Sequence, residues 1–599
     1  MAEAERAVAP HPRLRIVNSA SLSELILQHA ELPGARALLV MTSPTLLPLD
    51  GIDPALGLLE SDARIATVSF LCNAAGHLSF PYRNSPNPYS VEGHDESTLT
   101  RRLRDLDPAS GPAPTAVPAG PTTLVSSDAV LMVGGCDSIF DRQPEVALAE
   151  LSLRCARRGL RAVLDPSTYV SRPFELDPWE DEPLQHEPTR DALEQRHGFF
   201  PTLYDSDRED QHAPISRAFS VARAKTMGLR VLIDASALGP IENGTQVQIL
   251  ALVDALARRD DVCWVGVGIP GAVPRYAERV LTHPKARVIV TPSLSFETAD
   301  EADVLHRPFQ PDRDLPWERW REVADRICVT VQDLIAYQVG AYHMKGGIWL
   351  KYRDALSDAV RRADGSIVIS HDVADQMRLE SLPAERDRLF VVQNGTDHLS
   401  GDEEESVPHA LLERGWIARR FLVVLGADYS HKNRDLAIDV FRRLRSRGHE
   451  LALLLVGVGV AQGSSRIGES RFGHDPDVLR LPDVTSEERN WLLRHAELCL
   501  YPTSAEGFGL VPFEAARFGT ATVHARFGPL AEVLPDSPLT ARGWDPEDLA
   551  EDAALLLTDC SLREAQIESA LRSGAAYTWE LTADRLVRCY RSLLAQPQR

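Results

Sequence analysis

The stretch SAEGFGLVPFE, residues 504–514, decides how the second half of the chain folds. It places Glu506 and Glu514 eight positions apart around two glycines and a proline. These intervening residues would weaken or break a straight helix, so the pattern predicts a loop that turns into a helix. Pro512 suits the first helical position and Gly519 suits the position after the last one, which predicts a short helix between them.

A buried strand, LCLYPT (498–503), precedes this loop. Glu506 on the loop and Glu514 in the first helical turn are therefore expected to meet at the end of that strand. The unpaired amides and positive dipole of the helix suit an anionic ligand such as a diphosphate. Two carboxylates beside it would accept hydrogen bonds from hydroxyl groups, of which a sugar has many. The alternative is that Glu514 is only a favourable helix-terminal charge and Glu506 a solvated loop residue.

A second candidate phosphate site lies in FLVVLGADYSHKNRDL (421–436). The pattern predicts a strand, a loop and a helix for which Asn433 is the N-cap. Lys432 would then add a positive charge at a positive helix end, which phosphate oxygens favour. A surface lysine ahead of a helix is also common, so this stretch alone leaves both interpretations open.

From Leu229 onward, short apolar runs alternate with helical stretches, as in LRVLIDA (229–235) followed by VQILALVDALARR (247–259). Near-continuous apolar strands between helices are typical of parallel sheets covered on both faces. A second unit of this kind is expected to begin near LFVVQN (389–394). Two doubly wound domains in tandem would hold ligands in the cleft at the carboxyl ends of their strands.

Composition excludes several classes of protein. The chain has 599 residues, 44% of them hydrophobic, and a formal net charge of -22, which argues against nonspecific binding to nucleic acid. Its eight cysteines form no C-x-x-C pair and no metal-spaced cluster. The N-terminal segment lacks the apolar core of a secretion signal, and no run of about 18 apolar residues occurs. These features predict a cytoplasmic protein.

Residues 230–595 resemble the GT-B glycosyltransferases of the retaining family GT4. The resemblance implies an α/β GT-B fold of two Rossmann-like doubly wound domains, a nucleotide-diphosphate sugar as donor, and a glycan or lipid-linked acceptor. It rests on six segments that occur in the order typical of the family. They are EGFGLVPFEAARFGTATV (506–523), GADYSHKN (426–433), VVQNGTD (391–397), IVISHDVADQM (367–377), VTVQDL (329–334) and YTWELTADRLVRCYRSLL (577–594).

The resemblance also implies residue roles. Glu514 would bind the ribose hydroxyls, Glu506 with nearby backbone amides would hold the donor sugar, and Lys432 would neutralise the leaving diphosphate. Glu506 and Lys432 are the catalytic assignments. Gly244, in the turn ENGTQ, would let backbone approach the diphosphate closely. The whole predicted donor site comprises Gly244, Gln332, His431, Lys432, Glu506, Gly507, Phe508, Gly509, Leu510 and Glu514.

Two departures from the family pattern bear on the donor. His431 stands where the family often has arginine, so phosphate neutralisation is expected to depend more on Lys432. Gln332 stands where the family often has a histidine that touches the donor sugar. Glutamine can hydrogen-bond a hydroxyl but carries no positive charge. No metal and no cofactor are expected, because Lys432 and the helix ends would supply positive potential.

The N-terminal region has a different sequence pattern from the rest of the chain. Residues 36–172 are similar to the later half of GT-A transferases of family GT2, but MTSPT (41–45) stands where an Asp-x-Asp-like metal-binding element is expected. This region is therefore predicted to be a partial, non-catalytic GT-A-like α/β domain. The predicted domains are 1–172 for this region, 173–228 for an acidic linker or wrapping segment, 229–388 and 389–578 for the two GT-B domains, and 579–599 for a C-terminal helix crossing back to the first of them.

The leading hypothesis is a retaining hexosyltransferase of mannosyl or glucosyl type in polysaccharide or glycoconjugate synthesis. The alternative is a nucleotide-sugar-binding scaffold or regulatory protein without transferase activity. Homo-oligomer formation through the N-terminal domain and a weak peripheral membrane contact, through arginines of the helix after Lys432, remain open. His306, in VLHRPFQP (304–311), is either a cleft residue or a packed histidine.

Overall fold

The computed structural model divides the chain into two compact units. Unit 1 comprises residues 1–230, 260–263 and 591–598, and unit 2 comprises residues 231–259, 264–590 and 599. The structure describes residues 21–34, 36–48, 51–84, 87, 95–104, 111–172, 183–210, 213–240, 244–343 and 345–599. Across these described residues, no helix is both long and apolar enough to cross a membrane.

Unit 1 contains a five-stranded mixed sheet. Its strands are β1 (Ala37–Met41), β2 (Ile65–Cys72), β3 (Ala113–Thr115), β4 (Thr122–Ser126) and β5 (Arg161–Val170), in the order β1-β4-β2-β5-β3. Strands β2 and β5 are parallel, whereas β4 is antiparallel to β1 and β2, and β3 to β5. Every residue of β2 is buried. The mixed α/β character predicted for this region is observed.

Helices cover the sheet of unit 1. The long helix Pro144–Ala156 is followed by Gly159, where the chain turns in the left-handed region with φ of 82°. The apolar run DAVLMV (128–133) lies in the helix Ser127–Val133. The other helices are Leu22–Ala30, Ile52–Ser61, Glu96–Arg104, Ser127–Val133, Glu187–Arg196, Phe200–Glu209 and Pro214–Thr226.

The prediction of an acidic linker or wrapping segment over 173–228 is wrong for the part that the structure describes. Residues 183–210 and 213–228 contain three helices, and each helix has a proline in its first turn. Proline is well tolerated there, so residues that suggest a linker in the sequence start helices instead. The buried apolar side chains that join these helices to the two cores of unit 1 are Leu193, Phe200, Tyr204, Ile215, Phe219 and Ala222.

The first parallel sheet has seven strands. They are β6 (Leu229–Asp234), β7 (Val262–Ile269), β8 (Ala286–Val290), β9 (Ala302–Arg307), β10 (Ala324–Val331), β11 (Gly365–Val368) and β12 (Leu389–Val391). Their order is β12-β11-β10-β9-β6-β7-β8. The strands β6 and β9 to β11 are almost wholly buried, as predicted for a sheet covered on both faces.

The second parallel sheet has five strands, β13 (Phe421–Leu425), β14 (Ala452–Val456), β15 (Val478–Leu481), β16 (Leu498–Tyr501) and β17 (Thr522–His524). Their order is β15-β14-β13-β16-β17, and all neighbours are parallel. The predicted α/β class with two Rossmann-like sheets is confirmed. The helices between and after the strands of the two sheets are Gly244–Ala257, Glu278–Leu281, Trp317–Val323, Ile335–Gln338, Gly346–Arg362, His371–Leu379, His409–Arg414, Arg434–Ser446, Arg466–Ser470, Ser486–His495, Val511–Arg517, Gly528–Val533, Pro546–Thr558, Cys560–Gly574 and Trp579–Ala595.

The predicted boundary between the two GT-B domains at residue 389 is wrong. Strand β12 pairs in parallel with β11, with Phe390 opposite Ile367, so LFV belongs to the first sheet. The second sheet starts only at Phe421. A three-residue apolar run carries no signal of which sheet it joins, because only the pairing partner decides that.

The C-terminal helix contacts the first parallel sheet, as expected. Tyr590 places its hydroxyl 2.7 Å from His306 Nδ1 on β9, and Thr582 donates to the carbonyl of Gln393 at 2.8 Å. His306 Nε2 is 2.8 Å from the Thr330 hydroxyl. Burial lowers the pKa of His306 to about 3, so His306 is a packed, neutral histidine.

Candidate functional site

Lys432 and Glu506 form a mostly buried ion pair. Lys432 Nζ donates to Glu506 Oε1 at 2.5 Å, with side chains 16% and 12% exposed. Lys432 follows β13 and Glu506 follows β16, and these two strands are neighbours in the second sheet. Burial would raise the pKa of Glu506, but the charge and hydrogen bond of Lys432 outweigh it and lower that pKa. The structure therefore brings the two predicted catalytic residues together as an ionised pair.

Asn433 is not the side-chain cap that the sequence predicts. It holds the N-cap position of the helix Arg434–Ser446 in a left-handed conformation, with φ of 47°, and its side chain caps no helix amide. Its Nδ2 instead donates to the carbonyl of Pro502 at 2.8 Å. This bond ties the loop that carries Lys432 to the end of β16, which supports the geometry of the ion pair.

Glu514 lies in the first turn of the helix Val511–Arg517, which begins one residue before Pro512. Its Oε1 is 3.1 Å from His398 Nε2, and both side chains are nearly buried. Burial would raise the pKa of Glu514, but the hydrogen bond from His398 and nearby positive charges outweigh it and lower that pKa. Leu510 is the N-cap residue of this helix.

The side chain of Phe508 is buried. It is 2% exposed and packs against Phe513 and Tyr577, with ring centroids 6.1 and 5.5 Å apart. An aromatic side chain in this loop gains more from the apolar core than from water. Phe508 can therefore meet a ligand only through its backbone.

Gly507 and Gly509 are glycines for steric reasons. A Cβ on Gly507 would lie 2.1 Å from the carbonyl oxygen of Gln332, so no larger residue fits unless the backbone moves. Gly509 has a φ of 95°, which disfavours any side chain. The Gly507 carbonyl also accepts a hydrogen bond of 2.8 Å from Ser370. The loop that carries Glu506 is thus held against the end of β10.

Gln332 belongs to a network of side-chain amides. Its backbone amide donates to Gln310 Oε1 at 3.1 Å, and its side chain donates to Gln248. Gln310 in turn donates to the Tyr352 hydroxyl at 2.9 Å. Next to Gln332, burial raises the pKa of Asp333, and the nearby Glu506 carboxylate adds to this. Gln332 is therefore a fixed, uncharged group beside the Glu506 loop.

His431 is held by Tyr342, a residue of the loop after β10. The Tyr342 hydroxyl lies 2.7 Å from His431 Nδ1 and accepts a hydrogen bond of 3.2 Å from the His431 backbone amide. Its ring also covers Gly463, where a Cβ would clash at 1.9 Å. Burial, followed by the charge of Lys432, lowers the pKa of His431 to about 4. His431 is thus a neutral hydrogen-bonding group, unlike the arginine of the family pattern.

Gly244 begins the helix Gly244–Ala257 and is exposed. A Cβ there would meet nothing within 4 Å, so packing within the chain does not require glycine. Glu242 and Asn243, which precede Gly244 in the predicted turn, lie outside the described residues. Close approach of this backbone to a diphosphate stays a prediction.

A cavity of about 730 Å³ lies at the carboxyl ends of the first parallel sheet. Ser236 follows β6, Pro270 follows β7, Pro292 follows β8, Gln310 follows β9 and Gln332 follows β10. Ligands bind at this edge of open α/β sheets. The remaining described lining residues are Ala237, Thr245, Gln246, Ser293, Leu294, Phe309, Asp312, Arg313, Asp314, Leu315 and Pro316.

Two residues of the site, His398 and Tyr342, carry no recognisable signal in the sequence. His398 directly follows the segment VVQNGTD, but nothing in the sequence shows that it reaches Glu514, 116 residues away. Tyr342 ends the short 3-10 helix Gly340–Tyr342, and only the fold brings it to His431. Both contacts join segments distant in sequence, which local patterns cannot predict.

Curated relatives carry the name D-inositol 3-phosphate glycosyltransferase. One from Corynebacterium urealyticum is 38% identical over 114 residues, which are 19% of this chain and 27% of the relative. One from Salinispora arenicola is 29% identical over 235 residues, which are 36% of this chain and 52% of the relative. The chain thus spans about a quarter to about half of the length of these two relatives.

Solved structures with similar folds cover more of the chain. Sucrose-phosphate synthase from Thermosynechococcus elongatus matches 61% of this chain and 99% of its own, with 17% identity and a TM-score of 0.46. Anabaena HepE in complex with UDP-glucose matches 60% of this chain and 98% of its own, with 16% identity and a TM-score of 0.45.

The family model described as "Glycosyl transferases group 1" matches residues 418–573. This range includes the second parallel sheet with Lys432, Glu506 and Glu514. The GT-A-like interpretation of residues 36–172 stays a prediction. Over residues 418–573, the chain is thus similar to this glycosyltransferase family, in line with the resemblance found in the sequence.

Proposed function

We propose that the chain transfers a hexose from a nucleotide-diphosphate sugar to a hydroxyl group of a glycan or lipid-linked acceptor. The buried Lys432–Glu506 ion pair, in a segment that matches a glycosyltransferase family, is the observation that carries this proposal. Glu514, fixed by His398, is placed to accept the ribose hydroxyls. The donor would thus contact both loops after β13 and β16.

The reaction breaks the bond between the anomeric carbon and the diphosphate oxygen and forms a bond from that carbon to the acceptor oxygen. The proton of the acceptor hydroxyl passes to the leaving diphosphate on the same face of the sugar, so the anomeric configuration is retained. Lys432 stabilises the negative charge that develops on the leaving group. Glu506 accepts hydrogen bonds from the donor sugar and keeps Lys432 oriented before the donor binds.

No metal enters this scheme, because an ammonium group and two helix N-termini supply positive potential at the diphosphate. His431 would donate a neutral hydrogen bond to a phosphate oxygen. The Tyr342 hydroxyl, 2.7 Å from Nδ1, favours the tautomer with the proton on Nε2. Gln332 would contact a hydroxyl of the donor sugar.

The names of the curated relatives suggest one acceptor, inositol 3-phosphate, for a protein of this family. A cytoplasmic location, homo-oligomer formation and a weak membrane contact remain part of the proposal. The arginines that would serve a membrane contact are paired with acidic side chains, which reduces their attraction to anionic lipid. These are Arg442 with Asp475, Arg443 and Arg447 with Glu547, and Arg445 with Asp477.

Product analysis separates the enzyme from a nucleotide-sugar-binding scaffold. The purified full chain is incubated with UDP-glucose, UDP-galactose or GDP-mannose and a mixture of glycan acceptors, and nucleoside diphosphate release is measured. We expect release with one donor and, by NMR, a product with the anomeric configuration of that donor. Binding of a donor without any release would favour the scaffold, and an inverted product would refute the retaining scheme.

A further inference from the structure

The cavity at the first parallel sheet adjoins the proposed donor site. Gln332 lines the cavity, and its carbonyl oxygen packs directly against Gly507, the neighbour of Glu506. A molecule in the cavity would therefore lie beside the donor sugar that the Glu506 loop holds. This inference rests on the proposed function and concerns the chemical class of the acceptor.

Uncharged hydrogen-bonding groups dominate the polar lining of the cavity. The amide groups of Gln246, Gln310 and Gln332 can each donate and accept, as can nearby hydroxyls such as that of Ser293. Such groups match the hydroxyls of a sugar or polyol. The amides are held in place, since Gln246 donates to the Ala237 carbonyl at 2.7 Å and Gln310 to Tyr352.

The guanidinium groups of Arg307, at the end of β9, and of Arg313 are already paired with carboxylates. Arg307, which is fully buried, donates to Asp234 at 2.6 Å and to Asp312 at 2.8 Å. Arg313 donates twice to Asp312, at 3.1 and 2.9 Å. Burial would raise the pKa of Asp312, but hydrogen bonding and charge from the two arginines outweigh it and lower that pKa. Asp312 is therefore ionised at neutral pH.

The loop after β9, which contains Asp312, Arg313 and Asp314, therefore presents more negative than positive charge to the cavity. Asp312, Arg313 and Asp314 line it together, and Asp312 also compensates Arg307. The start of the helix Gly244–Ala257, with Thr245 and Gln246 in the lining, adds positive potential, but the donor diphosphate is expected to occupy that end. A phosphate on the acceptor would then face the carboxylates of the loop.

We propose that the cavity binds an uncharged, hydroxyl-rich part of the acceptor, and that Asp312 and Asp314 select against acceptors that carry a phosphate there. The transfer itself is unchanged: an acceptor hydroxyl gains the sugar, and its proton leaves with the nucleoside diphosphate. Repulsion between like charges at the edge of the cavity is the means of this selection. The acceptor class thus differs from the phosphorylated one that the names of the relatives state.

Matched acceptor pairs test the proposal on the full chain. Methyl glucoside, methyl mannoside and myo-inositol are each compared with the corresponding monophosphate, by ligand-observed NMR for binding and by kcat/KM for transfer. We expect the neutral member to be favoured by about 10-fold or more in both readouts. Preference for the phosphorylated member, or equal use of the two, would overturn the proposal.

Variants that change the charge of Asp314 test whether the loop after β9 causes the preference for neutral acceptors. Asp314→Lys should reduce the preference for the neutral member by about 10-fold, and Asp314→Asn by less. Glu301→Lys makes the same charge change at an exposed residue that does not line the cavity, and should leave the preference as it is. An unchanged preference in Asp314→Lys would contradict the assignment. Failure of the proposed function is distinct, because then no donor is consumed in any mixture, while the NMR comparison still decides which class binds.

Discussion

The loops that follow the two parallel sheets carry opposite chemistry. After β13 and β16 of the second sheet, a lysine and two carboxylates are nearly buried, and each of them contacts a specific partner side chain. After β9 and β10 of the first sheet, amide groups and an exposed acidic loop surround a cavity. The same topology thus provides one edge suited to a charged leaving group and one suited to neutral hydroxyls.

The difference shows that function is set by the loops rather than by the sheets. A compensated ion pair such as Lys432–Glu506 costs desolvation energy, which a diphosphate and sugar hydroxyls can offset on binding. The charged residues in the described lining of the cavity, Asp312, Arg313 and Asp314, are exposed, and the buried Arg307–Asp234 pair is not part of that described lining. Variants of each edge should therefore change different steps of the reaction.

Removing the lysine should have the largest effect. Lys432→Ala eliminates the positive charge at the leaving group, so transfer should slow by about 100-fold or more. Steady-state kinetics with saturating acceptor measures this. Lys351→Ala, which removes an exposed lysine on the helix Gly346–Arg362, is the matched control. Transfer at more than half of the normal rate in Lys432→Ala would refute the phosphate role.

Replacing Glu514 and Glu506 one at a time should affect donor binding and the transfer step to different extents. Glu514→Gln should weaken nucleoside diphosphate binding by roughly 10-fold, the scale of a hydrogen bond to a charged group. Glu506→Gln should lower kcat more than nucleotide affinity, because Glu506 contacts the transferred sugar. Calorimetry and kinetics on both variants test this, and equal effects in the two would contradict the separate roles.

The sequence predicts the strand, loop and helix around Glu506 well, because residues close together in the sequence determine them. The run from β16 through Pro512 to Gly519 specifies a strand, a loop and a short helix, and Lys432 and Glu506 lie where the pattern put them. A prediction failed where a distant partner decides, because the Asn433 side chain bonds to the carbonyl of Pro502 and caps no helix amide. The helices after residue 183 were missed because proline in a first helical turn resembles a linker signal.

The hydroxyl of Tyr342 should matter by a smaller factor. Tyr342→Phe removes its contacts with His431 but keeps the ring against Gly463, so kcat/KM for the donor should fall by about 2- to 10-fold, the scale of a neutral hydrogen bond. Tyr82→Phe, at an exposed tyrosine of unit 1, is the control. A decrease as large as that of Lys432→Ala would mean that the hydroxyl does more than position His431.

Low pH should reduce the stability of the folded chain, because histidines such as His306 are buried in the neutral form. The folded-state pKa of His306 is about 3, below the ordinary value of 6.5. Between these values the unfolded chain binds a proton that the folded chain does not, so stability falls with falling pH, by about 2 kcal/mol from pH 6.5 to pH 5. His306→Gln should make the melting temperature less pH-dependent over this range, whereas His474→Gln, at an exposed site, should not. The same pH dependence in both variants would contradict the buried neutral state of His306.

Nucleoside diphosphate binding tests the central claim most directly. Thermal unfolding of the full chain and of Lys432→Ala is measured with UDP, GDP, ADP, CDP or dTDP. At about 100 times its dissociation constant, the correct diphosphate should stabilise the unmodified chain by about 2.7 kcal/mol, and the variant should require a much higher concentration for the same shift. If none of the five raises the melting temperature of the unmodified chain, the edge formed by Lys432, Glu506 and Glu514 is not a nucleotide-sugar site.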